Sequence, residues 1–424
     1  MFMEYLCGND NRQLYKKVLP VYSEQVCDFL NSYSTAILRD SEAKTYPDVV
    51  TFAFWARKSN IRKKKEDYIS RFDNQIHMGR GLVFHIAPSN VPVNCMFTYA
   101  FGLLAGNSNI VRIPSKEFPQ INCMLRIMND VIKEEEYKDI YNMTSFVRYD
   151  RSERACTEEF SSMCDVRVIW GGDNTIRDIR SIELPVRSTE ITFADRYSFG
   201  IVDADTILEM SDEELDKLAE GFYNDTYLMD QNACSTPHLI CFIKSGNKTC
   251  EDATDCVNAE AVSTECDQTD YARERFWTSV AKTAVKYDLA DIKVSGKYAD
   301  LCEMIMSDDN SSRNCIISEV KRYDNLLYVC KLDTIPSDVV NSCRGRYGLF
   351  YDCTINSLED IAVLSDTKVQ TCAVCGISED KVRDYVINNS FRGIDRVVDF
   401  GKTLDIDVIW DGYDLIGSMS RIVN

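Results

Sequence analysis

Residues 79–92 read GRGLVFHIAPSNVP, and the order of residue types in this stretch decides the fold. Leu82 to Ala87 is a short apolar run, as expected of a strand buried on both faces. Pro88 and Asn90 stop it, and Pro92 can open a helix. Asn90 is therefore placed at the C-terminal edge of a strand and at the mouth of a helix. Ligands bind at that edge in open α/β sheets, and an Asn amide there can donate to a substrate oxygen. Asn is also a favoured N-cap, and on this segment alone capping is the stronger reading.

Downstream, the pattern repeats. Ile110–Ile113, Thr144–Tyr149 and Val166–Trp170 read as strands. Val91–Leu104, Phe118–Glu136 and Glu153–Met163 between them read as helices. This is the β-α-β-α alternation of a parallel sheet covered on both faces. Ile191 to Val202 reads as one further strand region. Helical Asp212–Gly221 follows, then a strand at His238–Ile243, a helix at Tyr271–Tyr287, and strands at Leu326–Leu332, Leu349–Thr354 and Val369–Val374. A second α/β unit is expected over 204–395, closely joined to the first with a ligand cleft between. Upstream, residues 1–75 read as helical and polar, and the basic run Arg62 to Lys65 suits a solvated helix face. No internal repeat or low-complexity linker is visible.

Composition sets bounds. The chain has 424 residues, is 45% hydrophobic and carries a formal charge of -19. That acidity argues against a broad nucleic-acid or anionic-membrane surface, so a phosphate-bearing ligand needs particular residues to hold it. The start, MFMEYLCGND, does not read as a secretory signal, and the apolar run around Met96 to Gly106 is too short to span a bilayer. The 18 Cys show no tight framework and read as reduced thiols, so a cytoplasmic chain is expected.

Four segments bear chemistry. After Asn90 comes GNSNIVRIPSK, residues 106–116, which puts Arg112, Ser115 and Lys116 at a strand's C-terminal edge. Two cations and a hydroxyl there suit a ribose or phosphate, although on this segment alone an exposed loop is the stronger reading. Trp170-Gly171-Gly172-Asp173 is a strand entering a paired-glycine turn and then a helix. Such a turn lets a pyrophosphate approach a helix N-terminus, or is a simple tight turn. Cys234 lies in DQNACSTP, residues 230–237, in a loop just before a strand, where a thiolate can act as a nucleophile. The histidines are His77, His85 and His238; His85 reads as core, and His238 as core or as a neighbour of Cys234. Cys372 and Cys375 form a lone C-x-x-C without a second pair, so no metal site is expected; Cys250, Cys256 and Cys266 suit an insertion.

Taken together, HIAPSNVP, GLLAGNSNIVRIPS, VIWGGD, DQNACSTP and RVVDFGKTLDIDVIWDGYDLI resemble the aldehyde dehydrogenase superfamily, and within it the acyl-CoA reductase (LuxC) family, from about residue 79 onward. The resemblance implies an aldehyde dehydrogenase-like α/β fold: two Rossmann-like parallel-sheet lobes with helices on both faces, plus a small oligomerisation or bridging element. It implies an N-terminal helical segment (1–75), a nicotinamide-binding domain (76–203), a catalytic domain (204–395) and a C-terminal bridging segment (396–424). Cys234 falls on the family nucleophile and Asn90 on the oxyanion-holding Asn. Arg112, Ser115, Lys116, Gly171 and Gly172 fall on cofactor positions. Ser115 stands where NAD-preferring members often carry Glu, so NADPH is favoured, with NADH as the second option.

The implied reaction is reduction of a fatty acyl thioester, acyl-CoA or carrier-bound, to the aldehyde. The alternatives are an NAD(P)-dependent aldehyde dehydrogenase, or a non-catalytic partner of an acyl-protein synthetase. The water-activating Glu of oxidising members is absent from Thr192-Phe193-Ala194-Asp195-Arg196, with Glu190 nearby; their ribose-binding Glu is replaced by Gly345. An acyl-protein synthetase partner and a homodimer or homotetramer are further implications of the resemblance.

Overall fold

The computed structural model describes residues 3–10, 17–72, 75–246, 268–306 and 317–424, so Cys250, Cys256 and Cys266 lie outside the described residues. The chain divides into two compact units, one of residues 1–195 with 406–424 and one of residues 196–405.

The first unit is built on β1 (Glu4–Gly8), β2 (Ile76–Gly79), β3 (Leu82–Ile86), β4 (Ser108–Ile113), β5 (Thr144–Arg148), β6 (Val166–Trp170) and β7 (Thr189–Phe193). Its six-stranded sheet has the order β1-β5-β4-β3-β6-β7. β3 to β7 are mutually parallel, and β1 joins β5 antiparallel. All residues of β3 and β6 are buried, as expected of central strands covered on both faces. One face is covered by helices Glu24–Arg39, Pro47–Trp55, Asn94–Leu104 and Pro119–Val131, the other by Arg154–Met163 and Asp173–Arg180. The helix Asn94–Leu104 is buried all round, which suits its apolar sequence.

The second unit contains β8 (Tyr197–Asp203), β9 (Pro237–Ile243), β10 (Ile317–Tyr323), β11 (Leu327–Leu332), β12 (Leu349–Ile355), β13 (Val369–Cys375) and β14 (Arg396–Asp399). They form one sheet in the order β10-β11-β12-β9-β8-β13-β14, parallel except for the β10–β11 pair. Helices Ala204–Glu209, Asp212–Thr226 and Gln268–Ala284 pack on one face, and Asp291–Met306 and Glu379–Asn388 contribute to the other. After Asp405 the chain belongs again to the first unit. There β15 (Ile409–Trp410) pairs with β16 (Tyr413–Asp414), and β17 (Ser420–Val423) pairs antiparallel with β2.

Three expectations need correction. The stretch 1–75 is not wholly helical, because β1 adds an edge strand to β5. Ile191 to Val202 is two strands, β7 and β8, in different sheets; the break at Ala194–Arg196 has no Gly or Pro to mark it. The stretch 396–424 is likewise not one segment: β14 ends the second sheet, and 406–424 belongs to the first unit.

Candidate active site

In the first sheet, β4 and β5 lie on one side of β3, and β6 and β7 on the other. Strand order therefore reverses between β3 and β6, and crevices outside the carboxyl ends at such a point bind ligands. The carboxyl ends of β3, β4 and β6 and the segments after them carry Asn90, Arg112 with Ser115 and Lys116, and Gly171 with Gly172. Six of the seven singled-out residues thus share one edge of one sheet.

Asn90 is exposed on the bend after β3. The following helix starts at Asn94, with Val93 at the N-cap position. Arg112, at the end of β4, stacks over the Tyr149 ring at 5.0 Å and donates to the Tyr149 carbonyl oxygen at 3.4 Å. Ser115 Oγ donates to the same oxygen at 3.2 Å. Burial lowers the Arg112 pKa, and its Nε is buried without a hydrogen-bond partner. Lys116 is exposed, with Nζ 4.9 Å from the Phe118 ring.

Gly172 has an ordinary φ of -67° and stands at the N-cap of helix Asp173–Arg180. A Cβ there would meet nothing within 4 Å, and one on Gly171 would come within 3.2 Å of Thr175. Backbone conformation therefore does not demand glycine at Gly172. The open space beside a helix N-terminus is where a phosphate can approach the backbone. Asp173, in the first turn, is the one acid there that would oppose it. An open cradle beside a helix N-terminus and an unspent guanidinium nitrogen fit a nicotinamide dinucleotide.

Cys234 lies in the second unit, in the loop between helix Asp212–Thr226 and β9, at the N-terminal edge of the parallel strands. Among the described cysteines, Cys234 and Cys302 are half-buried and all others are buried. Burial pushes the Cys95, Cys164, Cys330 and Cys375 thiols up to about 12 and raises Cys372 further, which leaves them protonated and inert. Burial therefore narrows the thiol nucleophile to two of the described cysteines. Cys302 sits in helix Asp291–Met306, whereas the Cys234 loop is built from unusual backbone.

That loop is held at several points. Asp230 and Gln231 have φ of 52° and 60°, and consecutive left-handed residues that are not glycine cost free energy. The Asp230 carboxylate accepts from Lys293 Nζ at 2.9 Å and from the Tyr287 hydroxyl. Gln231 Oε1 accepts from the Gly348 N–H at 2.6 Å, and its Nε2 donates to the Leu349 carbonyl at 3.0 Å. Tyr347 and Gly348 are left-handed too, with φ of 58° and 88°, and a Cβ on Gly348 would lie 2.2 Å from the Leu326 carbonyl oxygen. One Gln side chain thus ties two strained segments together. Ser198 Oγ, on β8, donates to the Cys234 carbonyl at 2.7 Å and accepts from the Thr371 N–H on β13 at 3.2 Å.

His238, four residues after Cys234, is buried and stacked on Tyr197 at 5.6 Å. Burial, with help from the Arg344 charge, lowers its pKa to about 3, and its Nδ1 accepts from the Gly345 N–H at 3.3 Å. It is a neutral core imidazole, not a general base. His85 is likewise core: it bridges Thr98 and Asn109, and burial lowers its pKa to about 4. Glu190 is spent on Arg167 and on Arg180, the latter at 2.7 Å. The sequence reading missed Ser198, Gln231 and Asp230, whose partners are remote in the chain.

The family description "Acyl-CoA reductase (LuxC)" matches residues 17–422. The chain belongs to the acyl-CoA reductase (LuxC) family. A long-chain acyl-protein thioester reductase of Vibrio harveyi is 26% identical over 170 residues, which is 40% of this chain. The match spans 33% of the length of that curated relative. Among solved structures, the LuxC-family chain is similar to a benzaldehyde dehydrogenase of Corynebacterium glutamicum, with TM-score 0.55 and 13% identity over 96% of this chain and 85% of the other. It is also similar to a 1-pyrroline-5-carboxylate dehydrogenase of Thermus thermophilus, with TM-score 0.60 and 11% identity over 94% and 80%. At these identities the likeness shows the fold, which is that of the aldehyde dehydrogenases. Among the described residues no helix is long and apolar enough to cross a membrane.

Proposed function

We propose that this LuxC-family chain reduces a fatty acyl thioester to an aldehyde through an acyl-enzyme on Cys234. The observation that carries the reading is the Cys234 loop: a half-buried thiol, when all the other described cysteines but Cys302 are buried, on backbone strained and clamped from three sides. Strained backbone persists only where its surroundings hold it, and such positions cluster at active sites.

The Cys234 thiolate adds to the acyl carbonyl carbon. The carrier thiolate leaves with the electron pair of the broken C–S bond and takes a proton from solvent. Exchange between thioesters is nearly balanced, so the buried, neutral His238 is not needed as a base. The Asn90 amide and the Cys234 backbone N–H are assigned to the carbonyl oxygen as charge develops on it; each such donor contributes about 2.7–4 kcal/mol. Arg112, Ser115 and Lys116 are assigned to the ribose and 2′-phosphate of NADPH, and Gly171 and Gly172 to its pyrophosphate. When bound, the reduced nicotinamide supplies the hydride that takes the acyl group to the aldehyde. NADH is the less favoured alternative, because no carboxylate stands at Ser115 to repel a phosphate.

The oxidising alternative needs a carboxylate that activates water. Glu190 is held by Arg167 and Arg180, which supports a chain that does not hydrolyse its thioester. The name of the Vibrio harveyi relative supports a long acyl chain delivered as a thioester, by coenzyme A or by a protein such as an acyl-protein synthetase. A homodimer or homotetramer and a cytoplasmic location belong to the same reading. The test is aldehyde formation from acyl-CoA and NADPH. Cys234→Ala should abolish it, and a parent-like rate in that variant would refute the mechanism.

A further inference from the structure

The sequence motif RVVDFGKTLD, residues 396–405, has no part in the chemistry above, yet it meets the base of the Cys234 loop. Helix Asp212–Thr226 and the turn after β14 approach backbone to backbone: a Cβ on Gly221 would lie 3.2 Å from the Gly401 Cα. At the end of this helix the Asp225 carboxylate is buried. Its Oδ2 accepts from the Gly401 N–H at 2.6 Å and its Oδ1 from the Thr403 N–H at 3.0 Å. The Asp225 main-chain carbonyl accepts from Thr236 Oγ1 at 2.8 Å. Thr236 is two residues past Cys234, so this bond closes a loop that contains the thiol. The Gln231 N–H also returns to the Thr226 carbonyl at 2.9 Å.

We propose that Asp225 is a positioning residue for the Cys234 thiol, its carboxylate fixing the 401–403 turn and its carbonyl closing the nucleophile loop through Thr236. The importance of the thiol rests on the acyl-enzyme reading, but the mechanical link does not. Two main-chain donors converge on one carboxylate with no cation between them. An Asn could accept from one and would present its own N–H groups to the other. Burial pushes the Asp225 carboxyl up to about 6, with Asp405 adding in the same sense, while Lys402 is spent on Asp399 at 2.6 Å. Protonation near pH 6 would remove one acceptor and slacken the loop, a signature that mere core packing does not produce.

The experiment is alkylation of the full-length protein by iodoacetamide from pH 5 to 8, with the Cys234 peptide quantified by mass spectrometry, on the parent, Asp225→Asn and Thr236→Val. The expected result is that both variants alter the Cys234 rate, by about tenfold for Asp225→Asn. The parent should show an acid limb near pH 6, beyond thiol ionisation, that Asp225→Asn lacks. Parent-like rates and pH profile in both variants would overturn the proposal. Thr236→Val removes only a hydroxyl, so it decides the matter if Asp225→Asn does not fold. Loss of the link with acylation intact would refute only this inference; an altered alkylation rate in a chain that no acyl thioester labels would refute only the acyl-enzyme reading.

Discussion

Ser198 Oγ donates to the main-chain carbonyl of Cys234 at 2.7 Å, and through this hydroxyl strand β8 sets the height of the thiol above the sheet edge. The same oxygen accepts from the Thr371 N–H, so one buried hydroxyl joins the loop to two strands. Ser198→Ala removes the hydroxyl that both the Cys234 carbonyl and the Thr371 N–H use. The expected loss is about 1–3 kcal/mol of stability, because unsatisfied buried groups keep their desolvation cost. Urea unfolding checks the first effect, and the Cys234 alkylation rate checks that the loop shifts with it.

Gly348 is expected to tolerate no side chain. Its φ of 88° is left-handed, and the Leu326 carbonyl oxygen stands 2.2 Å from where a Cβ would be. Gly348→Ala should cost about 3 kcal/mol or more, or prevent folding. Gln231→Ala, which frees the Gly348 N–H and the Leu349 carbonyl, should cost about 1–3 kcal/mol. Both are read from denaturation midpoints.

Gly172→Ala should separate stability from cofactor affinity. The φ is ordinary and the space is open, so stability should fall by no more than about 1 kcal/mol, the difference between Gly and Ala at an N-cap. If pyrophosphate lies against Gly172, NADPH affinity measured by fluorescence titration should fall by about tenfold or more. Unchanged affinity would remove Gly172 from the cofactor site.

His238 gives a pH prediction. Its folded pKa, about 3, is depressed below the ordinary value of 6.5. The unfolded chain therefore takes up a proton between pH 6.5 and about 3 that the folded chain refuses. The stability tied to this group is present above pH 6.5 and is lost as pH falls through that window. His85, with a folded pKa of about 4, acts in the same sense. Imidazole NMR resonances should report His238 neutral at pH 5, with the proton on Nε2, since Nδ1 accepts from Gly345; a protonated ring at that pH would contradict the burial argument.

Much of the scaffold was legible because its central strands are local signals. LVFHI and VRVIW are apolar throughout, and the breakers Pro88 and Gly171 follow directly. β1 was not legible, because EYLCG becomes a strand only by pairing with Thr144–Arg148, far along the chain. The break between β7 and β8 was hidden because Asp195 and Arg196 carry no turn signal, although it separates two sheets. At the thiol, Cys234 stood out from 18 cysteines only through its family resemblance. Burial adds a physical reason. The groups that hold its loop, Ser198, Gln231 and Asp225, act through bonds spanning 36, 117 and 176 positions, which no pattern of neighbouring residues reveals.

The most direct measurement is peptide-level mass spectrometry of the protein after brief exposure to long-chain acyl-CoA without a nicotinamide cofactor. The account predicts one acyl adduct, on the peptide carrying Cys234, stable for minutes in water and discharged on adding NADPH. An adduct on Cys302 instead, or no adduct on Cys234 while aldehyde still forms, would contradict it.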